Sequence, residues 1–225
     1  MADEYDLQKE ALRYRIANLL QSPPVTRINF RCGAYSVRGG DYVKIATALV
    51  QGRLKVAIEP ERLKEWQADA AYVSGYFVFN RPTYGNTVSE RRALVHEATH
   101  AVAHLHGIYY GSTFADDEAA AYIAGALYCL YIDGFSVRLA AELSGEDFER
   151  YVDTKKLVGE PFHTALIVAR LIQYVADAVV PSEEAAALKL KIAQDPAYLG
   201  SLGRLPGAGR RNRIPSHRLR PISRA

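Results

Sequence analysis

The chain has 225 residues, of which 49% are hydrophobic and 24% charged, a soluble composition that can bury a core as one domain with a small helical extension. Its longest run of low polarity, Ala119 to Ile132, is too short to cross a ~30 Å bilayer, which excludes a membrane-spanning class; Cys32 and Cys129 lack the spacing of a metal site and are expected as buried free thiols. Of the 28 basic and 25 acidic residues, seven arginines and no acid fall in residues 201–225 (Arg204, Arg210, Arg211, Arg213, Arg218, Arg220, Arg224), leaving 21 basic against 25 acidic in a mildly acidic body with a basic tail.

The N-terminus is acidic (Asp3, Glu4, Asp6) and offers no secretory signal, so the expected location is cytoplasmic, with delivery as a secreted effector left open. From Tyr5 to Gln21, Leu12, Ile16, Leu19 and Leu20 recur with helical spacing, an amphipathic helix that Ser22-Pro23-Pro24 ends. Val25 to Cys32 is predicted as a short strand, followed by loops at Gly33 and Gly39-Gly40; Asp41 is predicted to cap a helix through Val50. Leu54, Val56 and Ile58 alternate as a strand from Arg53 to Ile58, and Pro60 opens a short helix bearing Trp66. Ala70 to Asn80 reads as two strands turning at Ser74-Gly75, the second being Tyr76 to Phe79.

The next element carries the chemistry. Val88 to Leu105 has an apolar stripe of helical period, a capping box in Thr87 and Glu90, and a stop at Gly107. On it stands His96-Glu97-Ala98-Thr99-His100. Residues four apart on a helix lie one above the other, so the two imidazoles can share one zinc ion at ~2.0–2.1 Å, with Glu97 beside the first, placed to act on metal-bound water. A catalytic zinc takes a third protein ligand, for which His104, His106, Asp117 and Glu118 are candidates. On an unbroken helix His104 and His106 lie ~12 and ~15 Å along the axis from His96, out of reach. The carboxylates are better placed, at the start of a second helix whose body, Ala119 to Ile132, is apolar nearly all round and rich in small residues. That helix must be central, packed on the His96 helix. Asp116, Asp117 and Glu118 also suit a helix N-terminus by charge alone.

Helices are predicted at Ser136 to Leu143, Phe148 to Val158, Pro161 to Val179 (Leu166, Ala169, Ile172 and Val175 buried) and from Ser182 to near Asp195-Pro196; from Gly203 on the chain reads as a flexible arm.

His96-Glu97-x-x-His100 followed by Glu118-Ala119-Ala120-Ala121-Tyr122-Ile123-Ala124 resembles the gluzincin-type zinc metallopeptidases, and is more similar to the compact ImmA/IrrE-like bacterial proteins, with their Glu-Ala-x-x-aromatic second helix, than to thermolysin, whose Asn-Glu pair is absent. The resemblance covers Tyr76 to Leu130. With the elements read along the chain, the expected fold is α+β: a mostly helical zincin-like domain over residues 1–200 with a small mixed sheet beside the His96 helix, and, from the charge asymmetry, a basic tail over 201–225. The resemblance implies His96, His100 and Glu118 as zinc ligands and Glu97 as general base, with Asp117 the alternative ligand of aspartate-type zincins. The implied activity is hydrolysis of a peptide or protein substrate, in which a strand beside the metal helix lends its open edge to an extended peptide. Tyr109, Tyr110, Tyr122 and His163 are candidate donors to the oxyanion. A rival expectation is a zinc-bearing regulatory module that contacts nucleic acid through the arginine arm.

Overall fold

The structure, a computed structural model, describes residues 4–108, 113–132, 160–195 and 198. The first helix, α1 (Glu4–Leu20), buries Leu12, Ile16, Ala17 and Leu20. The proline pair does more than end it: with Ser22 before them, Pro23 and Pro24 start a short helix, α2 (Pro23–Thr26), because proline's fixed φ suits a first helical turn whose N–H groups have no partner anyway. The predicted strand from Val25 is therefore shorter, β1 (Asn29–Cys32), and the expected loop after Gly33 is in fact the second strand of a hairpin, β2 (Tyr35–Arg38), with Tyr35 and Val37 buried. Helix α3 (Gly39–Val50) begins before Asp41, which caps nothing: its buried carboxylate is taken by Lys44 and His106. A side chain at Gly39 would run into the Thr26 carbonyl, so only glycine allows α3 to start against α2.

Then follow β3 (Lys55–Ile58), α4 (Pro60–Trp66), β4 (Ala70–Val73) and β5 (Tyr76–Phe79). They form a mixed sheet of order β3-β5-β4, in which β5 pairs parallel with β3 and antiparallel with β4, turning at Ser74 and Gly75. The edge strands are thus β3 and β4, and Tyr76 to Phe79 is central with both sides paired. A second sheet, β2-β1-β6, joins the N-terminal hairpin to β6 (Ala178–Val179).

The metal-motif helix, α5 (Val88–Leu105), is fixed before it begins. Thr87 and Glu90 make the expected capping box, and one Glu90 oxygen accepts from the N–H groups of Gly85, Asn86 and Thr87 at 3.1, 2.8 and 3.0 Å. Gly85 has φ 96° and a Cβ there would stand 2.9 Å from Leu94, so the loop needs glycine on both counts. From α1, Arg15 clamps the same loop through the carbonyls of Pro82 and Tyr84. Behind the motif, buried Tyr42 of α3 donates its hydroxyl to Thr99, which itself donates to Val95 O. Helix α6 (Phe114–Ile132) runs antiparallel to α5, as the pairings His100 with Glu118, His96 with Tyr122 and Arg92 with Gly125 require. A Cβ at Gly125 would lie 3.2 Å from the Arg92 side chain, so small residues set how closely the two helices approach.

Helix α7 (Glu160–Ile172) is shorter than expected: the chain leaves it after Ile172, Val175 is 57% exposed, and Asp177 takes a positive φ to turn into β6. Leu166, Ala169 and Ile172 are buried as read from the sequence. Helix α8 (Ser182–Gln194) buries Ala185, Leu188 and Ile192. One apolar cluster runs from Leu12 to Ile192 through both sheets and all the longer helices, an α+β fold with mostly helical content. Cys32 and Cys129 are both buried, and burial pushes the Cys32 thiol up to about 11. Among the described residues no helix is long and apolar enough to cross a membrane. The helices expected at Ser136 to Leu143 and Phe148 to Val158, and the arm from Gly203, lie outside the described residues.

Candidate metal centre

The helical turn of α5 and the first turns of α6 bring four side chains to one point. His96 and His100 are edge to face, with their Nε2 atoms 3.3 Å apart. Glu118 closes the triangle: Oε2 lies 3.2 Å from His96 Nε2, and Oε1 3.6 Å from His100 Nε2. Glu97, one residue after His96, brings a carboxylate oxygen within 4.8 Å of both histidines, and His96, Glu97 and His100 can hold a metal ion. His100 and Glu118 are buried, whereas His96 and Glu97 keep partial exposure, so solvent reaches the cluster from their side.

Asp117 stands elsewhere than Glu118 despite being its neighbour. Its Oδ2 is 2.8 Å from His100 Nδ1, on the far side of the imidazole. A carboxylate only accepts, so Nδ1–H donates, and in the neutral ring the lone pair is left on Nε2, facing Glu118 and His96. The other Asp117 oxygen, Oδ1, is buried and has no hydrogen-bond partner among the described residues. His104 and His106 join other groups: His104 Nδ1 meets the Tyr72 hydroxyl at 2.7 Å, and His106 Nε2 meets Asp41 at 3.1 Å.

The donor set fits a cation. Ring nitrogens and carboxylate oxygens pointed at one another from 3.2 to 3.6 Å repel unless a proton or metal ion lies between them. Without metal, protons take that part. Burial disfavours the charged His100 ring, but the carboxylates of Asp117, Glu118 and Glu97 outweigh it and hold His100 up to about 10. Burial would likewise raise Glu118, yet the charge of His100 and the bonds from His96 and Tyr198 hold it down to about 2. Glu97 goes the other way: burial and the charge of Glu118 raise it, against the opposing pull of His96, His100 and one backbone hydrogen bond.

That bond comes from the sheet. Tyr72 N–H, on the outer side of edge strand β4, donates to Glu97 Oε2 at 2.7 Å. Tyr122, one turn after Glu118 on α6, stacks edge-on against His96 at 4.8 Å between centroids. Tyr198 reaches Glu118 Oε2 with its hydroxyl at 2.9 Å. Among the described residues these contacts come from Tyr72, Tyr122, Asp117 and Tyr198, not from His163 on α7; Tyr109 and Tyr110 lie outside the described residues. Tyr72 contributes a backbone N–H, which no side-chain pattern marks, and Tyr198 follows the last helix with no spacing that ties it to Glu118.

The chain matches no family model, no curated protein and no solved structure.

Proposed function

We propose that this protein is a zinc-dependent metallopeptidase of the gluzincin type, with His96, His100 and Glu118 as ligands and Glu97 as general base. The observation that carries the reading is how closely the two imidazole nitrogens and the Glu118 carboxylate approach one another. Donors placed ~2.0–2.1 Å from one tetrahedral zinc stand about 3.3 Å from each other. Here the two Nε2 atoms are 3.3 Å apart, and the Glu118 carboxylate comes within 3.2 Å of His96 through Oε2 and within 3.6 Å of His100 through Oε1. Three protein donors with one side open to solvent is the ligand count of a catalytic rather than a structural zinc.

Zinc, when bound, supplies Lewis acidity that makes water nucleophilic near neutral pH and polarises a substrate carbonyl. Glu97 takes the proton of the attacking water and passes it to the leaving amine nitrogen. Its Oε2 is steadied by Tyr72 N–H, which leaves Oε1 for the proton, and a carboxyl raised by burial is a stronger base than a solvated one. Asp117 holds His100 in the tautomer whose Nε2 lone pair faces the cluster. Strand β4, at the sheet edge, presents the part of its outer side that Glu97 does not take to an extended peptide.

The test exchanges Glu97 for Gln, which keeps volume and a hydrogen-bond acceptor but no basic carboxylate. Zinc per chain stays near one, while cleavage of a mixed peptide library falls by about 10² to 10⁴. Cleavage undiminished in Glu97→Gln, or no zinc in wild type purified without chelator and none taken up on addition, defeats the reading.

A further inference from the structure

The end of the described chain returns to the site. After α8, Tyr198 N–H closes a turn on Asp195 O at 3.0 Å, and the Tyr198 ring lies edge-on to Phe114 and Tyr122, with centroids 5.4 and 6.4 Å away. Its hydroxyl is 2.9 Å from Glu118 Oε2 and 2.8 Å from the Tyr122 hydroxyl. A phenol has one proton and an ionised carboxylate only accepts. Tyr198 O–H is the donor in both contacts, so its one proton is divided between the charged Glu118 carboxylate, the stronger acceptor, and the Tyr122 oxygen. The oxygen that Tyr198 holds is the one that faces His96.

We propose that Tyr198 is a positioning residue of the metal centre: its hydroxyl fixes the Glu118 carboxylate toward the two imidazoles and so sets how tightly the site binds zinc. The inference rests on the metal reading above. Glu118 has three side-chain torsions, and α6 fixes only the first part of its path; an oxygen left without a donor would have to be ordered when the metal arrives. Tyr122 alone cannot do this, since among the described contacts its hydroxyl meets Tyr198 and not Glu118. The consequence is that a site assembled from α5 and α6 is completed by a residue 80 positions further along the chain than Glu118.

Zinc affinity of the full-length protein, measured by competition with a chromophoric chelator, tests this. Tyr198→Phe keeps the ring against Phe114 and Tyr122 and removes only the hydroxyl; it is expected to weaken zinc binding about ten- to a hundredfold, close to the loss in Tyr198→Ala. Tyr122→Phe removes the second acceptor of the Tyr198 proton and leaves that hydroxyl to Glu118 alone, so it is expected to bind zinc at least as tightly as wild type; a loss in Tyr122→Phe as large as that in Tyr198→Phe overturns the inference, and this arm serves should the Tyr198 variants fold poorly. In a Glu118→Gln background Tyr198→Phe adds no further loss, because the group it positions is gone. If Tyr198→Phe binds as tightly as wild type while Tyr198→Ala does not, the ring only packs and the inference fails. It fails equally if Tyr198→Phe and Glu118→Gln add independently. Wild type that binds no zinc brings down the metal reading itself, whereas tight wild type with an equally tight Tyr198→Phe removes the role of Tyr198 alone.

Discussion

Glu90 and Glu97 stand two turns apart on the same face of α5 and are held in opposite states. Glu90 accepts three backbone N–H groups and pairs with Arg81; burial alone would raise its carboxyl, but Thr87, Arg81, Asn86 and Gly85 together hold it below the usual range. Glu97 accepts one backbone N–H and shares its neighbourhood with Glu118, and its carboxyl is raised. One helix thus carries a carboxylate whose charge is wanted for stability and another whose charge is costly. The difference lies in donors: the start of a helix supplies free N–H groups, while in its middle all are used by the helix itself. A carboxylate in the middle of a buried helix keeps its charge only by borrowing partners from elsewhere, and a basic, under-satisfied carboxylate is what proton transfer requires.

The largest effects expected from breaking this contrast concern the metal. Glu118→Gln removes the charged oxygen between the two imidazoles and is expected to weaken zinc binding more than about a hundredfold, whereas Asp117→Asn, acting through His100, costs ten- to a hundredfold. Chelator competition on both variants ranks them; Asp117→Asn losing the metal while Glu118→Gln keeps it would make Asp117 the ligand.

Stability comes next. Glu90→Ala strands three N–H groups at the start of α5 and should cost about 2 kcal/mol in urea unfolding of the zinc-free chain. Glu97→Gln, by contrast, should leave that stability unchanged or raise it slightly, because a carboxyl raised in the fold is destabilising when ionised at neutral pH. A loss in Glu97→Gln comparable to that in Glu90→Ala would erase the distinction between the two residues.

The smallest effect is in acid. The folded-state value of Glu90 lies below its unfolded value of ~4.3, so its contribution is complete above ~4.3 and is lost as pH falls through the folded value. The stability difference between wild type and Glu90→Ala should be flat from pH 6 to 8 and narrow below about pH 4. A difference that stays constant into strong acid would mean that the charge of Glu90 contributes nothing.

Local patterns determined much of this molecule. The period of the apolar residues marks α1 and α5, an unbroken apolar run rich in small residues marks α6, Thr87 and Glu90 mark where α5 begins, and the four-residue spacing of His96 and His100 by itself puts two imidazoles on one face, because helix geometry is set by the backbone over a few residues. The hairpin at Gly33, the turn of the chain out of α7 and the pairing of β6 with β1 were not legible, since such short segments take their form from neighbours distant in sequence. The same holds at the site. That Asp117 and Glu118, adjacent in sequence, face opposite nitrogens of His100 depends on how α6 is rotated against α5, which Gly125 and the alanines permit but do not dictate. Tyr72 N–H on Glu97 and Tyr198 on Glu118 are contacts 25 and 80 residues apart along the chain, and only packing brings such partners together. Periodicity fixes which side chains share a face; which partners that face meets is decided by the closing of the core.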